Sequence, residues 1–268
     1  MDIRDFLLQE GEKPLDHIVS NGGFCGIFRR IACIGDSLSS GEHESFENGQ
    51  KGFHDYYEYS WGQFLARDAG CAVQNFSAGG MTAKRYMQGF AEERGFFAPE
   101  LAAQAYIISL GVNDVSRIME GEMTFGGIED IDPAHPENNA DSFMGHYGAI
   151  ISKYKEIQPK AKFFLATMPS HHEQDERGVL YDRHAEMMYE IAKRFDNCYV
   201  LDFRKYAPDF NGEFKRQFYL GGHMSAAGYR LFALMVESYI DYYIRADQDA
   251  FRQVGFIGTE YHNEKETW

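Results

Sequence analysis

The sequence predicts an α/β fold, a three-layer α/β/α sandwich built on a five-stranded parallel sheet. Three observations carry that expectation. Five short apolar runs, bounded by turn residues, recur along the chain and have the length and composition of buried strands. Helical spacing of apolar residues fills much of the sequence between them, so successive strands need crossover connections and lie parallel. No internal repeat is present, and 268 residues with 44% hydrophobic and 15% aromatic content can bury one sizeable core. The expected organisation is therefore one domain, 1–268, with an N-terminal arm over about residues 1–28, where Gly11, Pro14 and Asn21-Gly22-Gly23 are turn signals.

The first strand is the run Ile31–Ile34. Gly35 permits a sharp exit from it, and Asp36 and Ser37 follow, which would leave Ser37 at the carboxyl edge of the sheet, where open α/β sheets keep their sites. A polar and aromatic loop over Ser40–Tyr59 comes next, with a turn at Asn48-Gly49. Its aromatic residues either wall the space beside Ser37 or pack the loop onto the domain. Trp61–Asp68 reads as a helix closed by Gly70, and Cys71–Phe76 as the second strand. Met81–Phe97 is helical in part, broken near Gly89 and Gly95, and Ala105–Leu110 is the third strand. The acidic stretch 120–141 is long for a connection, and is either a lid or an ordered surface excursion. Leaving the same sheet edge as Ser37, it and the 40–59 loop are both expected to border the site. A helix over Ser142–Ile157, a strand over Ala161–Met168, a helix over Val179–Phe195 and a strand over Cys198–Phe203 complete the alternation. The last helix starts near Ser225, a good capping residue, with Phe232, Met235, Val236, Tyr239, Ile240 and Tyr243 at three- and four-residue steps.

Four short blocks stand just past a strand or at the opening of the last helix: Gly35-Asp36-Ser37, Ser77-Ala78-Gly79-Gly80, Gly111-Val112-Asn113-Asp114 and Gly221-Gly222-His223. Ser, Gly, Asn and His in that order resemble the SGNH (GDSL-type) hydrolase family over about Ile31–Ile244. The resemblance implies a flavodoxin-like sandwich and hydrolysis of an ester through an acyl-enzyme. Such chemistry needs a hydroxyl nucleophile, a base for its proton and donors for the oxyanion. Ser37 is then the nucleophile and His223 the base, imidazole being the side chain that titrates near neutrality. The resemblance further implies an oxyanion site from the backbone N–H groups of Ser37 and Gly80 and the side-chain amide of Asn113.

The family usually has an aspartate three residues before the histidine, and here that residue is Leu220. Two solutions are open. The Leu220 carbonyl orients His223, which is the preferred expectation, or a substitute acid does so from Asp202, Asp209 or Glu213. The expected function is a serine esterase for small acyl esters, with acetyl groups on carbohydrates as one case. Thioesterase and lysophospholipase activities occur in the same family, and a non-catalytic binding relative is the alternative from another class.

A formal charge of −15 argues against nucleic-acid or anionic-membrane partners and suggests a neutral or cationic substrate, although a local field can oppose the global one. Four cysteines without a CxxC pair read as free thiols, and His171-His172-Glu173 is a weak metal candidate, so neither metal nor cofactor is expected. The N-terminus lacks the pattern of a signal peptide, which makes a cytoplasmic location the expectation.

Overall fold

Neighbouring residues of the first strand point to opposite sides, and both sides are apolar. Ile31 and Cys33 enter one core with Leu65, Ile107, Phe164, Tyr229 and Val236, while Ala32 and Ile34 enter another with Tyr106, Ile108, Phe163, Tyr147 and Ile151. A sheet apolar on both faces must be covered by helices on both, each fully buried large side chain contributing roughly 1.5–3 kcal/mol. The computed structural model, which describes residues 2–172 and 175–265, has that arrangement.

In chain order the elements begin with β1 (Arg30–Gly35), α1 (Ser37–Ser40), β2 (Glu42–Glu47), β3 (Gln50–Asp55), α2 (Trp61–Ala69) and β4 (Ala72–Ser77). They continue with α3 (Ala83–Arg85), α4 (Ala91–Glu93), β5 (Ala105–Ser109), α5 (Val112–Met119), α6 (Phe143–Ile157), β6 (Lys162–Ala166) and α7 (Glu176–Arg194). The last are β7 (Cys198–Leu201), α8 (Phe203–Tyr206), α9 (Gly212–Phe218), β8 (Tyr219–Leu220), β9 (His223–Met224), α10 (Ala226–Ala246) and α11 (Gln248–Phe251). The five-stranded sheet has the order β4-β1-β5-β6-β7, all parallel, the three-layer sandwich the sequence predicts. Helices α2 and α10 cover one face, and α6 and α7 the other. The chain runs from β1 outward to β4 on one side, then crosses back past β1 to β5 on the other. The carboxyl ends of β1 and β5 therefore flank the topological switch point, where such sheets leave a crevice.

Two segments differ from the sequence reading. The 40–59 stretch is mostly a β-hairpin, β2 pairing antiparallel with β3 around Asn48 (φ 52°) and Gly49 (φ 77°). Two successive left-handed residues make the tight turn that Asn-Gly favours. The aromatics divide: Trp61 is buried, whereas Phe46 and Phe53 are exposed. Segment 120–141 is an ordered surface excursion packed against α6 and α7. Phe125 meets Phe143 edge-on, Arg183 donates to the Gly126 carbonyl and Arg194 to that of Ile131. It lines no part of the cleft that holds Ser37. The helix after residue 81 is broken at Gly89 as expected, with a π turn over Tyr86–Phe90.

The N-terminal arm is fixed to α10 by main-chain donors on acids and a hydroxyl. Val19 N–H reaches Ser238 Oγ (3.0 Å), Gly22 N–H reaches Glu237 Oε2 (3.2 Å) and Phe24 N–H reaches Asp241 Oδ1 (2.8 Å). All four cysteines are free, Cys25 and Cys33 buried and Cys71 and Cys198 partly so. Among the described residues no helix is long and apolar enough to cross a membrane.

Candidate active site

Gly35 ends β1 where a Cβ would lie 2.2 Å from Ser39 Oγ, so only glycine lets the chain turn directly into α1. Asp36 caps that turn, accepting from Leu38 N–H at 3.0 Å, and Ser37 is its first residue. From the other end of the chain, β8 and β9 form a two-residue hairpin that delivers His223, Leu220 pairing with His223 across the Gly221-Gly222 turn. His223 Nε2 lies 3.0 Å from Ser37 Oγ. The two residues that the sequence singles out, 186 positions apart, are thus hydrogen-bonded.

The partner of the second ring nitrogen corrects the sequence reading. His223 Nδ1 lies 2.8 Å from Glu44 Oε1, a carboxylate on β2, and not on the Leu220 carbonyl. None of the substitute acids considered reaches the ring. Asp202 is held beneath the sheet edge by Thr167, Tyr189 and the Lys205 N–H, Asp209 binds His171 Nδ1 at 2.7 Å, and Glu213 sits exposed on α9. Glu44 is held on several sides. Lys51 Nζ, from the paired strand, is 2.7 Å from Oε2, and the Gly222 N–H supports the carboxylate. Lys51 is the main reason the Glu44 carboxyl is held down to about 2, with Gly222 and His223 adding to it.

The glycines of the histidine block serve this contact. A Cβ at Gly221 would lie 2.3 Å from Glu44 Oε2, one at Gly222 2.6 Å from Oε1, and Gly221 has φ +73°. They clear room for the acid. Glu42, two residues earlier and hence on the same face of β2, places Oε1 3.0 Å from His223 Nε2. Burial raises its carboxyl above the ordinary value. Phe53 closes the far side, its ring edge-on to His223 at 6.0 Å.

The oxyanion candidates Ser37, Gly80 and Asn113 follow three adjacent strands of the sheet, β1, β4 and β5. Gly80 is exposed and left-handed (φ +66°), and among the described residues nothing accepts from its N–H or from that of Ser37. Asn113, the second residue of α5, lines the cleft, but its amide is engaged. Nδ2 donates to the Met81 carbonyl at 3.1 Å and to Asp36 Oδ2 at 3.3 Å. Here it ties the Gly80 loop to the Ser37 turn. Asp114, which the sequence reading left without a role, does the same from below, its Oδ1 accepting from Ala83 N–H at 2.9 Å. Burial first, and Asp36 after it, push the Asp114 carboxyl up to about 7, and burial pushes Asp36 up to about 6. Behind them, buried His184 donates from Nε2 to the Leu110 carbonyl (3.1 Å), and burial lowers its imidazole to about 4, so it is neutral.

A cleft of about 430 Å³ opens from Ser37, Asn113 and His223. Its walls come from Pro169, Ser170 and His171 after β6, from Arg177, Gly178 and Tyr181 of α7, and from Phe210, Lys215 and Tyr219. Glu173 of the weak metal candidate lies outside the described residues, and His171 is the cleft residue bound to Asp209.

A sequence profile of the GDSL-like lipase/acylhydrolase family matches residues 33–231. The chain belongs to that family. No curated protein sequence matches it. Among solved structures, this GDSL-family chain is similar in fold to an acetyl xylan esterase, with 17% identity, a TM-score of 0.54, and coverage of 79% of this chain and 99% of the other. It is also similar to a family two carbohydrate esterase from Clostridium thermocellum solved with cellohexaose (17% identity, TM-score 0.59, 87% and 66% covered). A third is the carbohydrate esterase family 2 enzyme with a carbohydrate-binding domain from Corynascus thermopiles (16% identity, TM-score 0.54, 79% and 65% covered). At these identities the likeness is one of fold. The family places the chain among ester-cleaving acylhydrolases.

Proposed function

We propose that the chain is a serine esterase for small acyl esters, working through an acyl-enzyme on Ser37. The observation that carries this reading is the hydrogen-bonded series Ser37 Oγ, His223 Nε2, His223 Nδ1 and Glu44 Oε1 at 3.0 and 2.8 Å. Glu44 accepts the Nδ1 proton, which leaves a lone pair on Nε2 facing the serine hydroxyl. As Oγ attacks the ester carbon, its proton passes to Nε2 and the resulting imidazolium is stabilised by a carboxylate that stays ionised. The tetrahedral oxyanion takes the free N–H groups of Ser37 and Gly80. Asn113 supplies a third donor on giving up its 3.3 Å contact to Asp36. Collapse releases the alcohol with the Nε2 proton, and water, activated by the same histidine, then frees the acid.

Glu42 bears on the same nitrogen. A carboxylate facing the Nε2 lone pair is repelled, so Glu42 sits there either protonated or paired with the imidazolium. It therefore competes with Ser37 for Nε2 in the resting site. For the substrate, acetyl groups on carbohydrates are the first choice, supported by the fold shared with an acetyl xylan esterase and family two carbohydrate esterases. The test is p-nitrophenyl acetate hydrolysis by the native chain and by Ser37→Ala. The native chain should turn the ester over and Ser37→Ala should fall to background. Equal rates would refute the assignment.

A further inference from the structure

The chain carries 41 acidic against 26 basic residues, yet the cleft beside Ser37 is lined by Arg177, Lys215 and His171. Arg177, on the first turn of α7, has no carboxylate partner among the described residues. Its Nη1 donates to Ser116 Oγ at 3.1 Å and more weakly to Tyr181 at 3.5 Å. Those hydroxyls orient the guanidinium without neutralising it, and they leave most of its five donors unused. Lys215, on α9, is likewise without an acidic partner among the described residues. Other basic residues near the cleft are matched: Arg204 pairs with Asp182 and His171 with Asp209. Of the two acids that line it among the described residues, one is buried and the other, exposed, offsets a single cation. Asp175 caps α7 through the Gly178 N–H, and Asp36 is buried under the Ser37 turn. The net positive charge left by Arg177 and Lys215 in a cleft walled by Phe210, Tyr181 and Tyr219 focuses a field opposite in sign to that of the whole molecule.

Resting on the esterase reading, we propose that this cleft receives an ester whose alcohol portion carries an anionic group, held by Arg177 and Lys215. The alcohol is placed here because it leaves with the proton of His223. Lys215 and Tyr219 belong to the α9–β8 segment that leads directly into the histidine hairpin. A planar guanidinium offers paired donors to a carboxylate or phosphate. The negative charge of the whole chain, read from composition as favouring a neutral or cationic substrate, is thus opposed locally.

The probes are 4-carboxyphenyl acetate and its neutral near-isostere 4-carbamoylphenyl acetate, compared by kcat/KM in the native chain, in Arg177→Gln and in Lys215→Gln. One charge-assisted contact corresponds to a preference of about tenfold or more for the anionic ester. The preference should shrink towards unity in either variant, and should weaken with added salt. Two variants on different helices guard against loss of one to misfolding, checked by thermal melting. Equal turnover of the two esters by the native chain, or a preference that survives both substitutions, overturns the proposal. Failure to hydrolyse either ester, or p-nitrophenyl acetate, would instead overturn the esterase reading on which it rests.

Discussion

Replacing Glu44 by Gln probes the part of the site that the sequence concealed. The amide has the size of the carboxylate, so the Lys51 and Gly222 contacts lose strength but the side chain still fits between the glycines. Two things are lost. The first is charge beside the imidazolium: opposite unit charges about 4 Å apart are worth about 4 kcal/mol at an effective dielectric constant of 20, or about three orders of magnitude in rate. The second is the tautomer. An amide N–H can donate to Nδ1, which puts the proton on Nε2, facing Ser37 Oγ at 3.0 Å, where a lone pair is needed. Loss of the acid from a triad typically lowers kcat by about four orders of magnitude. We expect a fall of three to four orders for Glu44→Gln, with KM changed far less, because Glu44 touches histidine and not the cleft. The assay is steady-state hydrolysis of p-nitrophenyl acetate, with melting curves to confirm folding. A kcat within about tenfold of the native value would refute the role of Glu44 and return the orientation of His223 to a backbone group.

Other outcomes follow from the same geometry. Lys51→Met removes the main group holding the Glu44 carboxyl down at about 2, so that pKa should rise towards its ordinary 4.5. Glu44 is then still ionised at pH 8 but in part protonated at pH 4–5, and the variant should lose more activity relative to native at the lower pH. Gly221→Ala forces a Cβ to within 2.3 Å of Glu44 Oε2 at φ +73°, costing about 1–2 kcal/mol in backbone strain alone. Turnover should drop and urea stability should fall with it. For Asp114, burial raises the folded-state carboxyl from 3.8 to about 7. Between those values the folded chain keeps a proton that the unfolded chain has released, so the contribution to stability declines as pH rises through the window. Asp114→Asn keeps the acceptor for Ala83 and removes that decline, so it should match native stability near pH 4 and exceed it at pH 8 by up to about 4 kcal/mol in urea unfolding. Finally, His135→Ala with Glu137→Ala, both exposed on the 120–141 segment, should leave the preference among acyl chain lengths unchanged.

The sheet was legible because its three inner strands, β1, β5 and β6, are buried on both faces and so read as apolar runs. Ser37, Gly80, Asn113 and His223 were legible because each follows a strand or opens a helix, where glycine and small polar residues stand out. Glu44 was not. It lies on a hairpin that buries almost nothing, with Glu42-His43-Glu44-Ser45 giving no apolar alternation, and it meets His223 across 179 residues. The one available signal was Asn48-Gly49, a favoured hairpin turn. Reading it as a hairpin would have put Glu42 and Glu44 on one face, directly after the Ser37 turn. The missing aspartate before His223 drew attention to nearby acids, whereas its replacement came from the opposite end of the chain. Segment 120–141 misled because its length and acidity suggest a lid, while its buried anchors, Phe125 and Ile131, look like ordinary loop residues in sequence.

The central claim is that Ser37 carries the acyl group. Incubation with a fluorophosphonate, which modifies a serine only when a base activates its hydroxyl, followed by peptide mass spectrometry, tests it most directly. The expected adduct is on the peptide bearing Ser37, fast in the native chain and absent in His223→Ala. Labelling of another serine, or labelling of Ser37 at the same rate without His223, would contradict the account.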